Sequence, residues 1–347
     1  MREPENRRAN MKVIVDAFGG DNAPLVVLKG CILSKEKNPE IDIALVGNTE
    51  KVKKCAEENG LDISGFTLYN AAQELSMEDD PGMVLKEKKD SSMAVGLKLT
   101  AQGKGDAFVS AGNSGAITLG ATMLVKRIKG IKRPAFAPIM PTSGGPFMLI
   151  DAGANVEVRA EMLRQFAIMG SVYMEKIIGI KNPRVALANV GTEDHKGDTL
   201  RHEAFALLKE TDINFIGNTE ARDIPSGVAE VIVADGFTGN VIAKMYEGAA
   251  KEIVGMFKGV FYKNLRTKLG ALMMKKEMDE LKQYFDYKRY GGAVVMGVNK
   301  PVFKTHGSAN EVAVAVSIKA AADYAATGAI DIIAEKIAQI NNKNTEG

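Results

Sequence analysis

Five segments of the sequence combine glycine with polar or charged side chains in a pattern that suits anion binding. Glycine lets backbone amides approach a ligand closely, and a helix that begins after such a loop presents the positive end of its dipole. The segments are Asp16–Pro24, Ser110–Ala116, Asn189–Asp198, Asp235–Asn240 and Lys304–Asn310. The first is neither a G-x-G-x-x-G nor a Walker motif, which disfavours a dinucleotide or a nucleoside triphosphate. Turns with capping Asp, Asn or Ser side chains are the structural alternative.

Three of these segments also carry side chains suited to catalysis. Lys196 offers a cation to a phosphate or a leaving group, Asp235 can orient a substrate, and His306 can polarise a carbonyl. His195 and His202 are seven residues apart, but two histidines without further ligands make a poor metal site. No segment supplies a Ser-His-Asp or Cys-His nucleophile pattern. If acyl chemistry occurs here, direct attack by a bound small nucleophile is therefore favoured over a covalent enzyme intermediate.

Alternating strands and helices must position these segments. Apolar runs predict the strands Val13–Ala17, Ile41–Val46, Phe66–Asn70, Ala107–Ser110, Phe147–Asp151, Arg184–Asn189, Ile213–Ile216 and Val231–Ala234. Longer patterns predict a helix that opens near Pro24 and helices over Thr49–Asn59, Pro81–Gln102, Ser114–Ile128, Glu157–Ile178, Thr199–Lys209, Gly239–Phe257 and Ser308–Thr327. This order predicts an α/β fold with a doubly wound, mainly parallel sheet. Ligands bind beyond the carboxyl ends of such strands, where the polar segments begin.

The composition excludes several classes of protein. The 347 residues include 45 basic and 43 acidic side chains, for a net charge of +2, which argues against a bulk nucleic-acid binder. A hydrophobic content of 46% excludes general disorder. Two cysteines provide no disulfide framework, which fits a reducing cytosol. No apolar run reaches the roughly 18 residues that a transmembrane helix needs.

Domain boundaries are weakly marked. The charged residues 1–10 contain no apolar stretch, so they predict a disordered N-terminal extension rather than a secretory signal. Residues 11–347 are expected to form a single α/β catalytic unit, in which residues 245–290 form a helical hairpin. The best candidate for an internal boundary is Lys132–Gly145, which is rich in Pro and Gly.

Six motifs in a fixed order resemble one known family. They are VDAFGGDNAP, SAGNSGA, GANVEV from Gly153 to Val158, VGTEDHKGD, ADGFTGN and THGSAN. Across residues 11–330 the set resembles the bacterial phosphate acyltransferases of the PlsX type. Phe18 and Asn22 depart from the Met and His expected in the first motif, but both changes affect loop packing rather than charged groups. The resemblance implies an isocitrate-dehydrogenase-like and phosphate-acetyltransferase-like fold with a protruding helical hairpin.

The resemblance also implies a reaction and the residues that perform it. An acyl group would pass reversibly from acyl-carrier protein to inorganic phosphate, and the acyl phosphate would supply a glycerol-3-phosphate acyltransferase in phospholipid synthesis. Lys196 and Asn240 are implied as catalytic residues, with Asp235 and His306 orienting them. The residues expected to bind phosphate or the acyl carbonyl are Asp16, Gly19, Gly20, Asn22, Ser110, Gly112, Asn113, Ser114 and Gly115. Neither a cofactor nor a metal is expected.

Two further segments are predicted to contact partners. Lys126, Arg127, Lys129, Lys132 and Arg133 form a basic cluster for docking the acidic acyl-carrier protein, although a solvated helix end would look the same. Phe257, Val260, Phe261 and Leu265 lie on a basic amphipathic stretch that suits either an anionic membrane surface or a homodimer interface. The expected location is the cytoplasm, with peripheral attachment to the inner face of the cell membrane.

Two other classes of function remain as alternatives. An NAD-dependent decarboxylating dehydrogenase would share the fold, but it needs a cluster of Asp residues for a divalent metal, and Asp235 is isolated. A lipid-binding or acyl-binding regulatory protein could keep the fold without catalysis. The presence of Lys196, Asn240 and His306 argues against that second alternative.

Overall fold

Eleven strands and ten α-helices alternate along the residues that the computed structural model describes, 11–277 and 290–343. The strands are β1 Lys12–Asp16, β2 Asp42–Gly47, β3 Thr67–Asn70, β4 Ala107–Ser110, β5 Ala135–Thr142, β6 Gly145–Ile150, β7 Val185–Ala188, β8 Phe215–Thr219, β9 Val231–Val233, β10 Ala293–Met296 and β11 Val302–Lys304. The helices are α1 Leu25–Lys37, α2 Thr49–Glu58, α3 Ser92–Ala101, α4 Ser114–Gly120, α5 Ala160–Tyr173, α6 Thr199–Lys209, α7 Gly236–Phe261, α8 Leu265–Met273, α9 Glu311–Ala326 and α10 Ala329–Lys343. The predicted extension 1–10 and residues 278–289 of the predicted hairpin region lie outside the described residues.

All the strands belong to one sheet, in the order β3-β2-β1-β4-β11-β10-β5-β6-β9-β7-β8. Most neighbours are parallel, and the antiparallel pairs among the described residues are β11–β10, β10–β5 and β5–β6. Strands such as β4 and β9 are buried along their whole length, because helices cover both faces of the sheet. The mainly parallel α/β fold predicted from the sequence is confirmed.

Strand β5 joins the sheet's two parts. Its residues Ala135–Pro138 pair with β10, and its residues Ile139–Thr142 pair with β6. We call the strands from β3 to β10, with the first part of β5, the first half-sheet. The second part of β5 with β6, β9, β7 and β8 is the second half-sheet. Because β5 runs parallel to β4 and β11 but antiparallel to β6, the carboxyl ends of the strands in both half-sheets, except β10, point toward their junction.

One predicted helix differs from the structure, and several elements were not predicted. The segment predicted as one helix, Pro81–Gln102, contains a short 3₁₀ turn at Pro81–Leu85 and then α3, which starts only after the cap residue Ser91. The proposed boundary segment, Lys132–Gly145, contains β5 in the middle of the sheet. Strands β5, β10 and β11 and helix α10 were not predicted.

Helix starts are defined by side chains that accept hydrogen bonds from first-turn amides. Asn113 accepts from the N–H of Ala116 at 3.0 Å, and Asp198 accepts from that of Arg201 at 2.9 Å. Each such cap typically contributes about 1 kcal/mol. Among the described residues, no helix is long and apolar enough to cross a bilayer.

Candidate functional site

A cleft of about 740 Å³ lies where the two half-sheets meet. Its volume falls within the roughly 300–1,000 Å³ that is common for small-molecule sites. The floor is β5, whose residues Phe136, Pro138 and Met140 alternate along the strand and therefore face the same side. The walls come from the loops after β1, β6 and β11 and from α4 and α7. Four of the five polar segments singled out in the sequence thus contribute to one cleft.

Three loops of the first half-sheet are joined by backbone hydrogen bonds at one end of the cleft. The N–H of Asp21 donates to the carbonyl oxygen of Gly307 at 2.9 Å, and the N–H of Thr305 donates to that of Ser110 at 2.9 Å. Gly19 fits only because it lacks a side chain, since a Cβ there would lie 2.7 Å from the Ser110 hydroxyl. Gly20 has a φ of +101°, a conformation that glycine adopts without strain. The predicted glycines are therefore required by packing and backbone geometry.

A buried carboxylate supports the second of these loops. Asp16 accepts a 2.7 Å hydrogen bond from the Ser110 hydroxyl, and that hydroxyl accepts one from the N–H of Gly112 at 3.0 Å. Burial raises the pKa of Asp16, although hydrogen bonds from Ser92, Ser110 and Phe18 act in the opposite direction. Asp16 and Ser110 are almost fully buried and do not line the cleft, so both position the loop.

Lys304, at the end of β11, is a cleft residue that the sequence predictions missed. It is only 6% exposed, and its Nζ donates to the carbonyl oxygens of Ala111 at 2.9 Å and Thr305 at 2.6 Å. Burial lowers the pKa of Lys304 to about 8, against the opposing influence of Asp21 and Asp16. Lys304 opened the fifth polar segment, but β11 was not predicted, so nothing in the sequence indicated that this lysine is buried.

His306 lines the same end of the cleft and is fixed by Ser308. The N–H of Ser308 donates to Nδ1 of His306 at 3.2 Å, and the Ser308 hydroxyl lies 2.9 Å from the same nitrogen. Because a backbone N–H can only donate, we assign Nδ1 as the acceptor and the ring proton to Nε2. Ser308 does not cap α9, which was the structural alternative for this segment, since Asn310 caps that helix through the N–H of Ala313.

The second half-sheet contributes a loop organised by Asp151. Its carboxylate accepts hydrogen bonds from the backbone N–H groups of Phe136, Gly153, Ala154 and Asn155, at 2.6–3.2 Å. Helix α7 packs directly on this loop, because a Cβ on Gly239 would lie 1.9 Å from the carbonyl oxygen of Asp151. This contact brings Asn240 beside Gly153 in the wall of the cleft.

Asp235 belongs to an ion-pair network beside the cleft. Its carboxylate accepts from the N–H of Thr238 at 2.9 Å, from the Thr238 hydroxyl at 2.7 Å and from the guanidinium of Arg201. Arg201 also pairs with Asp198 at 2.9 Å. Burial alone would raise the pKa of Asp235, but the Thr238 hydrogen bonds and the charge of Arg201 lower it below its usual value. Asp235 therefore anchors the start of α7 to the Asn189–Asp198 segment.

The structure separates the predicted site residues into two groups. Asn240, His306, Ser114 and Gly115 line the cleft together. Asn113 does not line it, because its side chain caps α4 and donates to the carbonyl oxygens of Met77 and Asp79. The remaining predicted binding residues of the first two segments, Asp16, Gly19, Gly20, Asn22, Ser110 and Gly112, lie behind or beside the lining. Lys196 is exposed on its loop and is not among the described residues that line the cleft.

The predicted basic cluster lies on the surface and reaches the cleft at one end. Lys126, Arg127, Lys129, Lys132 and Arg133 are all exposed. The guanidinium of Arg127 is committed to the carbonyl oxygens of Ile131 and Lys132, and Lys132 lies 3.8 Å from Glu161. Arg133 lines the cleft. The cluster is therefore adjacent to the cleft mouth.

The distal part of α7 and the whole of α8 expose large apolar side chains. Val260 and Leu265 are 62% and 85% exposed, and no residue of α8 is buried. Phe257 stacks on Phe261 with 6.5 Å between ring centroids. A continuous exposed apolar surface of this kind commonly marks an interaction site.

The described residues contain no group of three or more His, Cys, Asp or Glu side chains that could hold a metal ion. The polar side chains in the cleft lining include the buried cation Lys304, the imidazole of His306 and the amides of Asn155 and Asn240. Charged side chains of Asp21, Arg133, Lys244 and Glu247 also belong to the lining.

Comparison with known proteins identifies related sequences over nearly the whole chain. Residues 11–331 match the sequence model of a family described as "Fatty acid synthesis protein". The chain is 43% identical over 336 residues to a phosphate acyltransferase of Acetivibrio thermocellus, with 97% of this chain and 99% of the relative covered. It is 46% identical over 330 residues to a phosphate acyltransferase of Bacillus licheniformis, with 95% and 99% covered.

Solved structures with low sequence identity share the fold. A phosphotransacetylase from Streptococcus pyogenes matches with a TM-score of 0.64 at 18% identity, covering 93% of this chain and 96% of that one. A branched-chain phosphotransacylase from Enterococcus faecalis matches with a TM-score of 0.57 at 13% identity, covering 91% and 99%.

Proposed function

The chain belongs to the phosphate acyltransferase family, and from this premise we propose that it transfers a fatty acyl group from acyl-carrier protein to inorganic phosphate. It is an acyltransferase of lipid synthesis. The proposed direction supplies acyl phosphate to a glycerol-3-phosphate acyltransferase, and the reaction is reversible.

The observation that carries the proposal is the division of the cleft into a polar end and an apolar floor. Lys304, His306 and Ser114 lie in its lining together with Phe136 and Met140 of β5. A small anion needs only the polar groups, whereas an acyl chain gains about 25 cal/mol for each Å² of apolar surface it buries. The combination supports a reaction in which an acyl chain and an anion are bound together.

In the proposed mechanism, phosphate is held at the end of the cleft formed by the first half-sheet, in front of the loops after β1 and β4. One of its oxygens attacks the thioester carbon. The amide of Asn240 then donates to the developing oxyanion, an interaction that typically contributes about 3–4 kcal/mol. Asp235 fixes the start of α7, which carries Asn240, and His306 orients the substrates. Lys196 remains a predicted catalytic residue that neutralises phosphate or the departing thiolate.

No acyl-enzyme forms in this mechanism. A carbon–oxygen bond forms between phosphate and the acyl group, the carbon–sulfur bond breaks, and the proton of hydrogen phosphate ends on the thiol of the carrier. Phosphate is already anionic at neutral pH, so its positioning supplies much of the rate. Cys31, one of the two cysteines, is fully buried in α1, and burial raises the pKa of its thiol.

The acidic acyl-carrier protein is proposed to dock on the basic cluster. Arg133 belongs to both the cluster and the cleft lining, so a carrier bound there would have its thioester at the cleft mouth. Rim charges of this kind act mainly on association and on its salt dependence.

A thioester-consumption assay with defined acyl-carrier proteins tests the proposed function. Release of the carrier thiol should require inorganic phosphate and should yield one acyl phosphate per thiol. Phosphate-independent release would indicate a hydrolase, and binding without release would indicate a regulatory acyl-binding protein.

We further propose that the exposed apolar face of α7 and α8 rests on an anionic membrane surface, with the protein otherwise in the cytoplasm, and that the protein is a homodimer. The face combines Val260 and Leu265 with exposed cations such as Lys263 and Arg266, a pattern typical of helices at membrane surfaces. Flotation of the full chain with anionic vesicles should be lost in Leu265→Glu. If flotation is absent and the variant instead changes the oligomeric state, the face is a dimer interface.

A further inference from the structure

Lys304 is a buried cation whose charge is not balanced by a contacting carboxylate. Among the described residues it is the only lysine in the buried class. Asp16 and Asp21 affect it only through longer-range electrostatics, and no described carboxylate forms an ion pair with it. Burying an ion away from water costs several kcal/mol unless a partner compensates.

The hydrogen bonds of Lys304 leave part of its ammonium group available. An ammonium has three N–H donors, and two of them are used by the carbonyl oxygens of Ala111 and Thr305. No third acceptor lies within hydrogen-bonding distance among the described residues, and Lys304 contributes to the cleft lining. The two hydrogen bonds to carbonyl oxygens fix the position of Nζ, so the third N–H remains available to donate to a ligand.

The surroundings of Lys304 suit a small oxyanion. Lys304 is paired in register with Ser110, which places it beside the loop that leads to Ser114. His306, two residues further along the chain, lines the same cleft. Charge-assisted hydrogen bonds between ammonium groups and phosphate oxygens are about twice as strong as neutral ones.

We propose that Lys304 is a catalytic residue whose ammonium group binds the attacking phosphate. The inference rests on the proposed function and names the cation of its phosphate subsite. Lys304 keeps its three protons throughout the reaction. It neutralises charge on phosphate and aims one phosphate oxygen at the thioester carbon.

Steady-state kinetics of Lys304→Met with phosphate as the varied substrate test the proposal. The KM for phosphate should rise about tenfold to a hundredfold, the effect of losing one hydrogen bond to a charged group. The KM for acyl-carrier protein should change less than about twofold. Lys304→Arg, which keeps the charge, should give a KM for phosphate between those of the wild type and Lys304→Met. Lys319→Met is the matched control, because Lys319 is a half-buried lysine on α9 that pairs with Asp323 outside the cleft lining, and it should leave both constants unchanged.

An unchanged KM for phosphate in an active Lys304→Met enzyme would overturn the proposal. If that variant does not fold, Lys304→Gln decides, because its amide can still donate to the Ala111 carbonyl without carrying charge. Inorganic phosphate should then raise the melting temperature of the wild type but not that of Lys304→Gln. An equal rise in both would contradict the proposal. The wild type must first show phosphate-dependent thiol release, so a failure of the proposed function is recognised separately.

Discussion

The two walls of the cleft differ in where their charged side chains lie and in what those side chains contact. On the wall from the first half-sheet, the cation Lys304 is buried in the lining, and its contacts are carbonyl oxygens. On the wall from the second half-sheet, the charges of Asp235, Arg201 and Asp198 pair with one another beside the cleft. None of these three side chains lines the cleft, whereas the neutral amide of Asn240 does, with Lys244 and Glu247 further along α7. From this difference we infer that the first wall binds the anion and the second wall stabilises the carbonyl oxygen.

The largest effect is expected from breaking the paired charges of the second wall. Arg201→Met removes the partner of Asp235, which is 5% exposed, and leaves a buried carboxylate uncompensated. We expect a loss of roughly 3–5 kcal/mol in the free energy of unfolding, measured by urea denaturation. Asp198→Asn removes only the exposed partner and keeps the helix cap, so it should cost less than about 1 kcal/mol. Equal losses in both variants would show that the network is not anchored at Asp235.

Asn240→Ala tests the carbonyl side of the comparison. Loss of one donor to the oxyanion should lower kcat by about 10²–10³-fold, while the KM for phosphate stays within about twofold. Asn240→Asp is the matched control, because it keeps the shape but replaces the donor by an acceptor, and it should be equally slow. A rise in the KM for phosphate without a fall in kcat would place the anion on the second wall instead.

Lys196→Ala tests whether an exposed cation outside the cleft lining takes part in the reaction. Water and salt screen an exposed charge, so we expect a fall in kcat of about tenfold. The free energy of unfolding should change by less than about 0.5 kcal/mol. Lys209→Ala, an exposed lysine paired with Asp194, serves as the control and should retain wild-type turnover. Wild-type kcat in folded Lys196→Ala would remove Lys196 from the mechanism.

The smallest effect is expected from a change of pH, which should alter kcat/KM for phosphate. The pKa of Lys304 is lowered to about 8, so the folded enzyme loses this positive charge as the pH rises through 8. kcat/KM for phosphate should be highest below pH 8 and should fall by at most about tenfold between pH 7 and pH 9. Asp16, Asp21 and His306 are the titratable neighbours of Lys304, so the profile should be repeated in His306→Gln. Lys304→Arg should show no decline across this range, and a decline equal to that of the wild type would assign the titration to another group.

The sequence alone was sufficient to predict segments that meet at the cleft but not to predict which residues line it. Glycine-rich segments after apolar strands could be recognised because glycine and a helix start have local signatures, and β4 and α6 match their predicted bounds. The burial of Lys304 depends on β11 inserting between β4 and β10, a long-range pairing of a three-residue strand that no local pattern reveals. Strand β5 was missed because its prolines and neighbouring glycines resemble a linker.

Hydrogen bonds within the protein explain why some predicted site residues do not line the cleft. Asn113 belongs to a segment predicted to bind phosphate, but its side chain is fully used in hydrogen bonds within the protein. Asp235 likewise binds Thr238 and Arg201 rather than facing the cleft. A sequence motif includes both the residues that contact a ligand and those that hold the loop, and only the hydrogen-bond partners separate the two.

Initial-rate kinetics with both substrates varied test most directly whether phosphate and the acyl thioester occupy the cleft together. We expect double-reciprocal lines that intersect, because both substrates must be bound before the acyl group moves. Parallel lines, with a stoichiometric burst of carrier thiol in the absence of phosphate, would reveal a covalent acyl-enzyme and contradict it.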